Sequence, residues 1–486
     1  MWCWTLLLSC LVSQVCSDSK YPSVIVIGAG SSGIAAASKL FEHGFQNVTI
    51  LEAENRIGGR VHTTRFADYW VDLGGQWVHG EEGNVVFQLA WPLDLLERSS
   101  NRYLNSQLFV TNGTEISKQM GESIIEVYLR IAAEAKNDLK NRSGSIGVYF
   151  EQRLNDYYKE AGIDENLRQE LTRLIEQLQN SADASDSWHQ VSAKGYIEYW
   201  DSAGDHVINW KERGYGFILD ILMKRYPDPM EELPVLNNTI YNAEVANINY
   251  TYTNNTVSVR TTDGRTYEAN HVIVTTSLGV LKEQYNTLFS PKLPELKIKT
   301  IKGLAFGSVA KIYLSFNETW WPSGSGGFNI LWDDKDKEYF KNHTEGDWIL
   351  DLFGLIPVEH KPRLLCGWMA GPGARRMERI PEDRVLRHMT EYIQRIFGTS
   401  YNVTAPTAVL RTQWYNNKHF RGTYSYRSLE SERENVWADQ LAEPLMKNDT
   451  PIVIFAGEAT NAHRYSTVHG AVESGWREAN RLISLY

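Results

Sequence analysis

Three glycines spaced as Gly28-x-Gly30-x-x-Gly33, with Glu52 nineteen residues further on, have the chemistry to hold a pyrophosphate and a ribose. Gly28 permits a tight turn, Gly30 lets the main chain approach phosphate oxygens, and Gly33 lets a helix lie close on a strand. Ser32 in the same loop is a further candidate phosphate contact, and Glu52 can bond a ribose diol. Arg60, after the pair Gly58-Gly59, offers a cation for the phosphate charge that a helix N-terminus stabilises only in part. Near the other end, an apolar run from Thr450 stops on Gly457-Glu458, a second candidate contact for the same ligand.

These residues need particular elements around them. Ser23–Ile27 is a continuous β-branched run, the pattern of a strand buried on both faces of a parallel sheet. Ile34–Leu40 is a good helix sequence, and Val48–Leu51 is a second strand ending at Glu52. Strand, glycines, helix, strand and acid in that order predict a dinucleotide-binding unit. The later run Thr450–Ala459, followed by a helix-like stretch from Gly470 to Leu482, predicts that the middle of the chain is inserted into a single discontinuous nucleotide domain.

The middle divides by period. Ile124, Tyr128, Ile131 and Ala135 recur at helical spacing, as do Leu167, Leu171, Leu174 and Leu178 after a plausible Asp164 cap. From about residue 235 the period changes: 256–261 alternates, Asp263-Gly264 is a hairpin turn, and Tyr267–Val274 reads as the returning strand. Val309–Phe316 and Arg363–Ala370 are further strands. No internal repeat, low-complexity tract or long linker is present.

At 486 residues the chain has the length of about three domain-sized units. Its 42% hydrophobic and 22% charged residues exclude a largely disordered or collagenous chain. A net charge of −10 argues against a nucleic-acid-binding surface. Residues 1–17 read as a secretory signal: Trp2–Cys16 is apolar and almost uncharged, with a buried N-terminal strand as the alternative. Cys3, Cys10 and Cys16 lie within it, so the processed chain would keep only Cys366, which allows neither an intramolecular disulfide nor a cysteine metal site. No metal is expected. Ten Asn-x-Ser/Thr sequons support an N-glycosylated, extracellular protein.

Together the motifs resemble the flavin amine oxidases. The resemblance runs over essentially the whole processed chain, through the GxGxxG with Glu52, Gly58-Gly59-Arg60, the string Asp72–Gly80, the string Val272–Leu281, Lys311, Arg421–Tyr426 and Gly457–Thr460. Trp77–Gly80 and Ser466–Gly470 are most similar to the animal polyamine oxidases, of the spermine oxidase or acetylpolyamine oxidase kind. The implied fold is α/β, a Rossmann-type FAD-binding domain with a discontinuous α+β substrate-binding domain. FAD segments are expected at 22–90, 236–300 and 431–486, with substrate-binding and helical segments at 91–235 and 301–430. The region after Arg421 has no cysteine, so the FAD is expected to be non-covalent, and 477–486 is too short and polar for a membrane anchor.

The resemblance also implies a reaction: an amine C–H gives hydride to flavin N5, the imine is hydrolysed, and dioxygen reoxidises the flavin to give hydrogen peroxide. It assigns Lys311 to a water near N5, against a plain strand-end lysine. It assigns His79 to the substrate nitrogen, against a structural histidine, and Tyr424 to an aromatic wall. Thr467 stands where relatives carry a second aromatic. Trp414 either stacks beside the flavin or belongs to the core. Gln76 and Trp77 would flank the isoalloxazine, Val245 the adenine, Glu458 the ribityl or pyrophosphate, and the helix starting near Thr467-Val468 the flavin carbonyl. Among Glu81, Glu82, Asp183, Asp186, Glu198, Asp201 and Asp205, the acids favoured for the distal amines of a polyamine are Glu198 and Asp201. Two alternatives stand beside a secreted polyamine oxidase. One is an L-amino-acid oxidase, with Arg421 or Arg427 as the carboxylate clamp, and the other is a secreted FAD-fold binding protein without turnover.

Overall fold

The computed structural model of the chain describes residues 21–100, 105–343 and 345–486. The signal-like run 1–17, with its three cysteines, lies outside the described residues. Val24–Ile27 is buried along its whole length because it is central, pairing in parallel with Val48–Leu51 on one side and His271–Val274 on the other. Thr239–Ile240 extends the sheet beyond Val48–Leu51, and Thr450–Phe455 extends it beyond His271–Val274. Leu445–Lys447 closes that edge antiparallel. This is an α/β nucleotide sheet, and its neighbouring strands come from opposite ends of the chain.

Helix Ser31–Glu42 crosses from the first strand to the second and packs against the last helix, Val468–Ile483. Glycines make the approach possible. A Cβ at Gly33 would lie 1.9 Å from the Gly28 carbonyl oxygen, and one at Gly475 would lie 2.2 Å from that of Ser32. Either side chain would force the helix away from its neighbour.

A second, seven-stranded sheet runs in the order Ala408–Arg411, Val309–Ser315, Leu364–Ala370, Leu352–Pro357, Phe328–Leu331, Gln107–Val110, Glu115–Ile116. Helices Lys118–Asp138, Ile146–Glu160 and Glu165–Asp183 form one core cluster that reaches this sheet through Leu108 and Leu331. The two expected amphipathic helices lie within these, and Asp164 caps the third by accepting from the Asn166 N–H.

Two readings of the chain need correction. Tyr267–Val274 is not one strand. Thr266–Ala269 belongs to a small four-stranded sheet and His271–Val274 to the nucleotide sheet. Asn270 separates them, because its Oδ1 accepts from the Ser23 N–H and hydroxyl and its own N–H bonds back to Ser23. Residues 208–235, read with the substrate segment 91–235, instead contribute Ile208, Trp210, Ile218 and Met223 to the core that contains Val24, Ile34 and Val472.

Candidate active site

A cavity of about 1210 Å³ runs from the glycine loop past Lys311 to the helices of the second region. Single-ligand pockets are typically about 300–1,000 Å³, so this volume suits a large cofactor together with a substrate.

At the nucleotide end the chain leaves room that nothing of its own fills. A Cβ at Gly30 would meet only the Gly58 carbonyl and Gly59 Cα, at 3.9 and 4.0 Å, so the glycine is open toward the cavity. The Ser31 and Thr276 hydroxyls are buried on the cavity wall without a hydrogen-bond partner, as a site for phosphate oxygens would leave them. Glu52 accepts from the Ala29 N–H at 2.7 Å and the Glu54 N–H at 2.8 Å, one on each oxygen. Each oxygen keeps a lone pair for a diol. Burial raises the pKa of Glu52, opposed by those two bonds. The residues therefore fit an FAD. Ser31, Thr276, Glu52 and the Gly30 main chain would hold its nucleotide half, with Val245 at the adenine end.

Other expected cofactor contacts behave differently. Glu458 is buried and pairs with Arg60 at 2.9 Å, while its second oxygen accepts from the Ser425 hydroxyl at 2.7 Å and the Ser466 N–H at 2.8 Å. It anchors the wall and holds Ser466 at a left-handed φ of 68°, rather than offering a free carboxylate to the cofactor. Arg60 also donates to the Thr423 carbonyl at 2.6 Å, both bonds coming from Nη1. The Ser32 hydroxyl faces Ser474 at 3.1 Å, so the phosphate-facing hydroxyl is that of Ser31. Gly33 does not line the cavity; its role is packing.

Around the middle of the cavity, Lys311 stands in the all-buried strand Val309–Ser315. Its Nζ donates to the Asp72 carbonyl, the Gly74 carbonyl and Gln76 Oε1, each at 2.8 Å. It does not reach solvent, and all three protons of the ammonium form are used by the protein, so a bound water would have to replace one of these acceptors. Burial lowers its pKa to about 8. Tyr313, two residues along the strand and on the same face, bonds the same Asp72 carbonyl and Gln76. Trp77 stacks on Trp368, and the Lys311 ammonium lies 5.1 Å from the Trp368 ring. Trp414 lines the cavity with its Nε1–H bonded to the Leu73 carbonyl.

His79 Nδ1 donates to the His206 carbonyl at 2.7 Å. That bond fixes the tautomer and leaves Nε2 as an acceptor on a ring that lines the cavity. The residue is exposed by area and lines the cavity, while neighbouring protein crowds the ring. Burial lowers its pKa, keeping it neutral.

Tyr424 lines the wall with its hydroxyl bonded to the Ser181 carbonyl. Thr467 lines the wall too, but its hydroxyl is committed: it donates to the Arg464 carbonyl and caps the last helix by accepting from the Gly470 N–H. It is a cap rather than a substrate contact. Val468 begins that helix at the cavity.

Of the seven candidate acids, Asp183 and Asp201 line the cavity and Glu198 does not. Glu198 lies 4.0 Å from buried Arg427. Glu81 is tied to Arg98 and Asp186 to Arg375, both off the cavity. Asp183 has one side-chain bond, from Gln179 at 2.6 Å, and burial raises its pKa to about 6. Neither arginine proposed as a carboxylate clamp reaches the cavity: Arg421 pairs with Glu283, and Arg427 lies under the Tyr465 ring. Sequence reasoning missed Lys136, Tyr196, Tyr199 and Glu359, which line the cavity. For Lys136 a signal existed: starting from Tyr128 of the core stripe, Ala132 and Lys136 continue a line at i, i+4, i+8.

A glycine-loop nucleotide pocket that opens into a lysine-flanked chamber is the arrangement of a flavin-dependent oxidoreductase. More specifically, the chain belongs to the family of flavin-containing amine oxidoreductases, whose model matches residues 31–483, and it is an FAD-dependent amine oxidase. It is similar to the peroxisomal N(1)-acetyl-spermine/spermidine oxidases of Bos taurus (29% identical, covering 97% of each chain) and Homo sapiens (30%, covering 96% of this chain and 95% of the relative). It is also similar to polyamine oxidase 1 of Zea mays (28%, 95% and 90%). A cofactor-binding redesign of putrescine oxidase shares the fold, with a TM-score of 0.65 at 18% identity over 96% of this chain and 99% of that one.

Proposed function

We propose that the protein is a secreted polyamine oxidase with non-covalent FAD. The observation that carries the reading is the single cavity: it joins the nucleotide pocket, past Lys311, to an end walled by tyrosines and by Asp183 and Asp201. Bound FAD supplies the two-electron acceptor: the carbon beside the amine nitrogen loses a hydride, the imine is hydrolysed to an aminoaldehyde and a shorter amine, and dioxygen is reduced to hydrogen peroxide. The chain's own residues orient the substrate and handle its charge. His79 Nε2 accepts from the reacting nitrogen. Asp183 and Asp201 neutralise an ammonium further along. The Tyr424 face flanks the alkyl chain. Lys311 gains a proton-accepting lone pair only when it gives up one of its three bonds, so its base form is the alkaline one.

Non-covalent binding is supported by the state of Cys366. It is the one cysteine among the described residues and lies on the cavity wall, yet burial pushes its thiol up to about 12, leaving no thiolate to attack a flavin. Secretion is supported by the apolar N-terminal run and by the ten sequons, whose asparagines are exposed at every site except half-buried Asn249. No helix among the described residues is long and apolar enough to cross a membrane.

The test is anaerobic bleaching of the purified yellow protein with spermine, N1-acetylspermine, spermidine, a monoamine and an L-amino acid in parallel. Fast bleaching by polyamines is expected. Bleaching only by the amino acid, or by nothing offered, defeats the reading. For secretion, a mass drop on treatment with an N-glycosidase is expected of protein from a eukaryotic host, and an unchanged mass counts against it.

A further inference from the structure

Four lysines line the cavity: Lys136, Lys311, Lys361 and Lys418. Three are committed. Lys136 donates to the Tyr199 carbonyl at 2.6 Å and lies 3.6 Å from Asp201. Lys311 has its three acceptors, and Lys418 pairs with Glu244 at 2.6 Å. Lys361 is different. It stands half-buried in the turn between strands Leu352–Pro357 and Leu364–Ala370, where its N–H bonds to the Val358 carbonyl and its carbonyl accepts from the Leu364 N–H. Among the described residues its amine has neither a hydrogen-bond acceptor nor an ion-pair partner. The three carboxylates whose charge it feels are engaged elsewhere. Asp72 accepts from the Thr63 hydroxyl and the Tyr215 N–H, and Glu97 bonds to His360 at 2.7 Å. Glu359 accepts from the Ser99 and Ser100 hydroxyls, the Ser100 N–H and the Asn209 amide. Burial lowers the pKa of Lys361, opposed by Asp72, Glu359 and Glu97.

An amine so placed is a nucleophile: no acceptor holds its protons, and burial favours the neutral form. The reaction proposed above releases an aldehyde into the same cavity. We propose that Lys361 is a covalent acceptor for that aldehyde, a modification site filled by the enzyme's own turnover. The amine lone pair attacks the carbonyl carbon. The carbonyl oxygen leaves as water with the two amine protons, giving an imine with no change of oxidation state. Confinement in the cavity presents the aldehyde to the amine at an effective concentration far above that of product in solution. Lys136 and Lys311 meet the same aldehyde, but each must first leave its acceptors. An adduct at Lys361 fills part of the cavity, so turnover is expected to slow the enzyme reversibly. The inference rests on the aldehyde-forming step of the proposed function, whichever amine supplies it.

The test is peptide mapping by mass spectrometry of wild-type holoenzyme after aerobic turnover of spermine. Catalase removes the peroxide, and sodium cyanoborohydride reduces any imine to a stable secondary amine. The adduct is expected at Lys361, at roughly tenfold the occupancy of Lys282. Burial lowers Lys282 as well, to about 8, but it lies off the cavity, so it controls for reactivity without confinement. A second arm gives propanal and the same reductant to the resting holoenzyme, and the lysines should rank in the same order. Lys361→Arg keeps the charge without the nucleophile. With FAD content and Tm matched, it should keep the initial rate and lose both the adduct and the slowing of the progress curve. If spermine is oxidised and adducts settle on Lys136 or Lys311 instead, or show no excess over Lys282, the inference is overturned. If spermine does not reduce the flavin, the polyamine reading falls, and the propanal arm decides the site by the same criterion.

Discussion

Asp183 and Lys311, both on the cavity wall, titrate away from their ordinary values, and each carries a pH signature. Burial raises Asp183 to about 6, so in the free protein it is protonated below that pH. An ammonium beside it favours the carboxylate, and binding then has to expel the proton. KM for a polyamine is therefore expected to rise as pH falls through about 6, and Asp183→Asn should lose that slope while raising KM at pH 7 on the order of tenfold. The same shift acts on folding with the opposite benefit. Between the unfolded pKa of 3.8 and about 6 the folded state holds the extra proton, so stability falls as pH rises through that window. Asp183→Asn should consequently melt higher than wild type at pH 7, which thermal denaturation checks. For Lys311, Lys311→Met should lower kcat by about 10²–10⁴-fold. It should also remove a limb of the pH–rate profile near 8, where the wild-type amine loses its third proton.

At the scale of elements, the nucleotide half was readable because its signals are local. Val24–Ile27, the glycines, the helix and Glu52 lie within thirty consecutive positions, and each is specified by its own steric demand. Gly33→Ala tests this: the new Cβ has nowhere to go but into the Gly28 carbonyl, and the purified variant should lose bound flavin, read from its visible absorbance. Thr467→Ala removes the cap of the last helix and should cost about 1 kcal/mol in chemical denaturation. The substrate half was less legible, for a physical reason. Its wall is assembled from the stripe Tyr128–Lys136, the end of Glu165–Asp183, the segment Tyr196–Asp201 and Trp368, and no spacing in the chain relates them. Glu198 and Asp201 differ by three positions, yet in the segment after the short helix Ala193–Tyr196, capped by Ser192, one lies beside Arg427 and the other lines the cavity. Helix Glu382–Phe397 is a different case. Val385, Met389, Tyr392 and Ile396 carry a clear helical period that the reading of the chain passed over.

For the molecule as a whole, the nucleotide sheet sets the order of assembly. Its strand Thr450–Phe455 lies beside His271–Val274, and helix Val468–Ile483 packs on Ser31–Glu42 and brings Val468 to the cavity. The Arg60–Glu458 pair likewise joins residues almost four hundred positions apart. A chain ending before Thr450 therefore lacks one strand, one helix and half of that pair, and is expected to purify colourless even with FAD in excess. This gives the cofactor a schedule. While the protein is being synthesised, the first glycines emerge early, but the helix that closes on them, Val468–Ile483, is made more than four hundred residues later. Flavin capture then follows the synthesis of that helix. If the chain is exported during synthesis, the compartment receiving it, and not the one that translated it, must supply the FAD.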